Sequence, residues 1–262
     1  MGTPTLVKLD EAGNLIKFKA HLVAKAYSQI PGQDFDQTFA PVMHLDSLRN
    51  MIVITSIHNL DMSVLDVKSA YLHGDLEETI YMQQPEGFSD GSPCVCLLIH
   101  SLYGLKQSGR AWNKMLDAHL KSLGYCQLNA NHCIYIQQSS QGAYDIFSTW
   151  VDDFALFCMK GRMPQNKKEI GEKWEITDQG EDPCIIVGIQ IHWERNLHQI
   201  TIHQGAYIQR ILECFGMANS DTVMTPMDHS IQLVPMMDNN VFEHLSEIPL
   251  SRPIPTHSDH PA

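Results

Sequence analysis

Apolar and polar positions along this chain predict a mixture of strands and helices. Leu6 to Val23 carries two strand-like runs around Gly13-Asn14, the pattern of a β-hairpin. Ser47 to Leu60 repeats at helical spacing, with Asp46 or Ser47 placed to cap its start. Met62 to Val67 is a short β-type run holding one carboxylate, Asp66, and Ile80–Gln83 and Val95–Leu98 are further short strands. Gly109 to Gly124 predicts an amphipathic helix with Ala111, Trp112, Met115, Leu116, Leu120 and Leu123 on one side and Gly124 as its cap. Pro164 to Trp174 predicts a charged helix with Ile170 and Trp174 turned inward. Ile185–Trp193 and Leu197–Ile202 read as two strands joined by Glu194-Arg195-Asn196, and Gln204–Phe215 as a last helix closed by Gly216. From about Met227 no period is sustained, and residues 231–262 are expected to be a disordered tail. Strands and helices without strict βα alternation predict an α+β fold.

The most apolar stretch, Ile146 to Cys158, is interrupted by two adjacent carboxylates, Asp152 and Asp153. Paired carboxylates repel each other and resist desolvation, so apolar flanks alone do not account for them. Two readings stand on the residues alone: a solvated turn between two strands, or a divalent-cation site at a hairpin tip.

Charge and cysteine usage narrow the partners. The formal net charge is −12, from 18 Lys+Arg against 30 Asp+Glu, which argues against a protein that coats duplexes by phosphate neutralisation. An enzyme working on nucleic acid through a local basic channel and metal ions is compatible with it. Lys8, Lys17, Lys19 and Lys25 make the first hairpin locally basic, either as a solvated face or as a phosphate-facing flap. Seven scattered cysteines predict reduced thiols in an intracellular compartment, and the fourteen histidines show no zinc-ligand spacing. The N-terminus has no long apolar run, so neither a signal peptide nor a membrane partner is expected.

A series of collinear segments carries a family resemblance. They are Leu22-Val23-Ala24-Lys25, Thr38-Phe39-Ala40-Pro41-Val42, Leu65-Asp66-Val67-Lys68-Ser69-Ala70-Tyr71-Leu72-His73-Gly74-Asp75-Leu76 and Ile80-Tyr81-Met82-Gln83-Gln84-Pro85-Glu86-Gly87-Phe88. Ser101-Leu102-Tyr103-Gly104-Leu105-Lys106-Gln107, Arg110-Ala111-Trp112, Val151-Asp152-Asp153 and Thr225-Pro226-Met227 follow. In this order they resemble the reverse transcriptase domain of copia-type LTR retrotransposons, a segment of a Pol polyprotein, from about Leu6 to Met227.

The resemblance implies a right-hand polymerase over residues 1–230: partial fingers at about 1–60, a palm of antiparallel sheet backed by helices at about 61–195, and the start of a thumb at about 196–230. It implies RNA-directed DNA synthesis, with dNTPs and an RNA or DNA template with primer as substrates and the rest of a Pol polyprotein as a partner. The expected location is the cytoplasm, virus-like particles or the nucleus. Asp66, Asp152 and Asp153 match the family's metal-binding catalytic aspartates, which implies two Mg²⁺ ions, with Mn²⁺ as a substitute. Tyr71, five residues after Asp66, matches the aromatic gate that excludes a 2′-hydroxyl. Gln107 matches the glutamine beside the incoming nucleotide, and Lys106, Arg110 and Lys25 complete the implied nucleotide-binding set.

The chain departs from the family pattern at several places. Trp150 stands where tyrosine is usual, His21 replaces an arginine, Ala26 replaces a glycine, and Ser108-Gly109 replaces Ala-Pro. An alanine at a position needing positive φ would be strained. The pattern begins inside the fingers and fades after Met227, so a truncated copy is expected. The alternative is a decayed, non-catalytic remnant serving at most as a nucleic-acid-binding or protein-interaction module.

Overall fold

Strands β1 (Thr5–Leu9) and β2 (Leu15–Ala20) pair antiparallel and lead to helix α1 (Leu45–His58). Next come β3 (Asp61–Val67), β4 (Asp75–Gln83), β5 (Val95–His100), helix α2 (Ser108–Ser122), β6 (Cys126–Gln127) and β7 (Ile134–Gln138). Strands β8 (Tyr144–Trp150) and β9 (Asp153–Cys158), helix α3 (Met163–Gly171), β10 (Ile176–Glu181), β11 (Ile185–Ile186), β12 (Ile189–Glu194), β13 (Gln199–His203) and helix α4 (Gly205–Cys214) complete the order. This computed structural model describes residues 5–9, 15–138, 142, 144–183 and 185–220. The Gly13-Asn14 turn and the tail at 231–262 lie outside the described residues.

The fold is α+β. Six strands form the main sheet in the order β10-β3-β9-β8-β7-β6, each pair antiparallel. β3 and β9 are adjacent interior strands, and their apolar residues are buried on both faces, as interior strands require. One face packs against α2 and α3. Trp112, Leu116 and Leu120 recur every four residues along α2 and join Leu65, Val67, Phe147, Phe154, Leu156, Met163 and Ile170 in one core. Each fully buried side chain of this size contributes about 1.5–3 kcal/mol, so the sheet and its two helices hold each other.

Several boundaries differ from the sequence expectation for local reasons. α1 begins at Leu45, ahead of the predicted start, with His44 as N-cap and no side-chain cap bond. Asp46 instead pairs with Arg49, and Ser47 Oγ accepts a hydrogen bond from Asn131 Nδ2 at 2.9 Å. α3 ends at Gly171, and Trp174 is buried just beyond it. The run Ile185–Trp193 is split by Val187 and Gly188, at φ 48° and 73°, into β11 and β12. Ala26 opens a short 3-10 turn, Ala26–Ser28, and is not among the residues with positive φ, so the anticipated strain is absent there.

The chain divides into two compact units, Met1–Val187 with Ile191–Ile202, and Gly188–Gln190 with His203–Ala262. In the first, Arg195 donates to Asp182, Asn59 and Asp61 and stacks 3.8 Å over the Trp193 ring. In the second, the Ala206 N–H at the start of α4 donates to Gln190 Oε1 at 3.0 Å.

Candidate active site

Strand register brings the carboxylates together. In the β3–β9 pairing Asp66 lies directly opposite Asp153, followed by Leu65 opposite Phe154 and Val64 opposite Ala155. Alternation then puts Asp66 and Asp153 on one face, with Val64 and Ala155, while Leu65, Val67, Phe154 and Leu156 turn into the helix-backed core. Like charges directly opposite each other across two strands are destabilising. Sheet formation alone does not favour this pair.

Asp152 belongs to the two-residue connection between β8 and β9, where Trp150 pairs with Asp153. Val151 has φ 60°, while Asp152 does not have positive φ, the sign pattern of a type II′ hairpin turn. Glycine ordinarily fills that first position; a β-branched residue there costs about 1–3 kcal/mol. Two hydrogen bonds from separate elements hold the turn. The Val67 N–H at the end of β3 donates to the Asp152 carbonyl at 3.0 Å, and the Trp112 indole Nε1–H of α2 donates to the Val151 carbonyl at 2.7 Å.

Electrostatics mark the same place. Burial, then the Asp152 charge, then the Asp66 charge push the Asp153 carboxyl up to about 6. Tyr71 is raised by burial and then by Asp152. Tyr103 is raised by burial, then by Asp152, Tyr71 and Asp66. Both phenols therefore feel the charge of the carboxylates, and their rings meet edge-on at 5.3 Å. His21 packs edge-on against Tyr103 at 4.9 Å.

The other expected nucleotide-binding residues form a different cluster. Gln107 is buried at the N-cap of α2. Its amide donates to the Asp34 carbonyl at 3.0 Å and to Glu78 Oε2 at 3.4 Å, and accepts from Gln29 Nε2 at 3.1 Å. Gln29 also accepts from the Lys106 N–H at 2.9 Å, and the Lys106 ammonium sits 5.6 Å from the Phe35 ring centre. Arg110 lies beside Glu77, whose carboxyl is held low first by Lys114 and then by Arg110. Lys25 lines a cavity of about 630 Å³ with Tyr27, Gln29, Asp34 and Gln84, and none of the three aspartates lines it.

The carboxylates suit a hard divalent cation: all their donors are oxygen, and their mutual repulsion favours a positive charge between them. Among the described residues no three His, Cys, Asp or Glu side chains form a ready-made cage. Mg²⁺ does not need one, since it keeps several waters and takes one or two carboxylates together with substrate phosphates. Tyr103, Gln29 and the Trp112–Val151 bond were not singled out from the sequence. Tyr103 and Trp112 lie inside the resembling segments, whereas no sequence signal marks Gln29.

Residues 5–229 match the family model described as reverse transcriptase (RNA-dependent DNA polymerase). The chain is 36% identical over 251 residues, 94% of its length, to the retrovirus-related Pol polyprotein from transposon TNT 1-94 of Nicotiana tabacum, of which it covers 19%. It is 31% identical over 229 residues, 86% of its length, to that from transposon RE1 of Arabidopsis thaliana, of which it covers 15%. The Ty1-H Gag-Pol polyprotein of Saccharomyces cerevisiae is 31% identical over 223 residues, covering 79% of this chain and 11% of that protein. The chain thus spans under a fifth of the length of these curated relatives. Among the described residues no helix is long and apolar enough to cross a membrane.

Proposed function

Because the chain belongs to the reverse transcriptase (RNA-dependent DNA polymerase) family of copia-type retroelements, we propose that it extends a primer on an RNA or DNA template. In this reading residues 1–60 are fingers, 61–195 palm and 196–230 the start of a thumb, and the rest of a Pol polyprotein is a natural partner. The observation that carries the proposal is the register that sets Asp66 against Asp153, with Asp152 in the adjoining turn.

The reaction joins the primer 3′-oxygen to the α-phosphorus of a dNTP, breaks the bond to the leaving pyrophosphate and releases the hydroxyl proton. Asp66, Asp152 and Asp153 would hold Mg²⁺ or Mn²⁺, which when bound supplies charge neutralisation at the phosphates. Tyr71, braced by Tyr103, would close the space a ribose 2′-hydroxyl needs. Lys106, Arg110 and Lys25 would add positive charge along the nucleotide's path. Gln107 would reach the sugar only by giving up a bond to Gln29, Asp34 or Glu78. Catalysis of this kind is mostly positioning and electrostatics.

Primer extension on an RNA template with Mg²⁺ or Mn²⁺ tests the proposal. Wild-type chain is expected to extend and Asp152→Asn to lose at least about 100-fold in rate, the scale on which metal-held phosphoryl chemistry depends on its carboxylates. Extension that survives in Asp152→Asn would remove these carboxylates from the mechanism.

A further inference from the structure

Trp112 stands out among the buried side chains because its one polar atom points at the candidate site. The residue is 2% exposed. Its ring lies parallel to Phe154 at 6.3 Å and edge-on to Trp174 at 5.1 Å. Its Nε1–H meets the Val151 carbonyl at 2.7 Å. Val151 is the residue in the disfavoured positive-φ conformation, directly before Asp152. The backbone of Trp112 is fixed too: a Cβ on Gly74 would come within 2.8 Å of the Trp112 nitrogen, so α2 is seated on that glycine.

A strained turn keeps its shape only where its surroundings over-determine it. Here the Asp152 carbonyl is tied to β3 and the Val151 carbonyl to α2, so two carboxylate-bearing residues are aimed by two fixed points. Tryptophan combines a core-filling ring with an N–H donor, which phenylalanine lacks.

We infer that Trp112 is a positioning residue: its indole N–H holds the Val151 carbonyl and thereby fixes Asp152 and Asp153 for cation binding. The inference rests on the polymerase reading of the site. Trp112→Phe keeps an aromatic ring and removes the donor. Trp174→Phe perturbs the same aromatic cluster and leaves the bond intact.

The test compares wild type, Trp112→Phe, Trp174→Phe and Asp152→Asn in the full chain. Mn²⁺ affinity is read by spin resonance of the free ion, and single-turnover primer extension is read beside it. Trp112→Phe is expected to weaken Mn²⁺ binding and slow the single-turnover rate by about 10-fold, the usual effect of losing an outer-shell partner, with dNTP KM little changed. Trp174→Phe is expected to lower thermal stability without that selective loss. If Trp112→Phe does not unfold cooperatively, benzothienylalanine at position 112, an indole isostere with sulfur in place of N–H, takes its place. Equal behaviour of the position-112 and position-174 variants, with wild type extending, overturns the inference and leaves the polymerase reading standing. A wild-type chain that neither extends nor binds Mn²⁺ better than Asp152→Asn overturns both.

Discussion

At the scale of single residues, Asp153 shows most directly how this site departs from what folding alone favours. Its carboxyl is half-buried, faces Asp66 across the strand pair and is pushed up from 3.8 to about 6 by burial and then by the Asp152 and Asp66 charges. A carboxyl whose pKa rises on folding favours the folded state while it is protonated. That contribution is complete below about pH 4 and is lost as pH rises through about 6. The full shift would correspond to about 3 kcal/mol, and partial exposure reduces this to about 1–2 kcal/mol. Metal-free Asp153→Asn is therefore expected to be more stable than wild type by that amount at pH 7.5, and to show little difference at pH 4. Denaturant unfolding at the two pH values measures it; a variant no more stable at pH 7.5 would mean that burial and the neighbouring carboxylates do not disfavour the Asp153 charge as described.

At the scale of elements, the site depends on how closely α2 approaches the segment before β4. Gly74 has an ordinary negative φ, −67°, so its role is space and not backbone freedom. A methyl there would lie 2.9 Å from the Ala111 carbonyl carbon and Cβ, and the first turn of α2 would have to move. Gly74→Ala is expected to cost about 1–3 kcal/mol, read as a lowered Tm, and to reduce primer extension beyond that loss because Trp112 moves with the helix. A variant with wild-type Tm and activity would show that α2 has room to spare. The same elements show what could be read in the residues beforehand. β3, β8 and β9 were legible because aromatic and aliphatic residues crowd them, and α2 because its apolar residues recur every three to four positions. β10, Ile176-Thr177-Asp178-Gln179-Gly180-Glu181, was not, since a single apolar residue carries no period and its pairing with β3 is backbone work. β7 was passed over for a related reason: three apolar residues before Gln137-Gln138 fit strand and helix alike. The aspartates could be found as charges in an apolar run, but an indole N–H aimed at a carbonyl leaves no trace in spacing, where Trp112 reads only as part of a hydrophobic stripe.

At the scale of the molecule, the main sheet is open, with β10 at one edge and β6 at the other. β6 has only two residues. β10 is longer, but its pairing shifts register between Asp178 and Glu181, and Gly180 takes φ 94°. Asp178 accepts from Lys167 at 2.8 Å and from the Gly180 N–H at 2.8 Å. Short edges, bulges and edge charges are the features that stop a sheet from adding foreign strands. Asp178→Val is expected to aggregate at rest, by light scattering, while Asp178→Asn, which loses the same ion pair, stays dispersed; equal scattering from both would assign the effect to the ion pair. The centre of the sheet is continuously paired, and that pairing is what sets two aspartates opposite each other. An outer strand that shifts register and carries Asp178 and Glu181 offers a poor template for one more strand beside that centre.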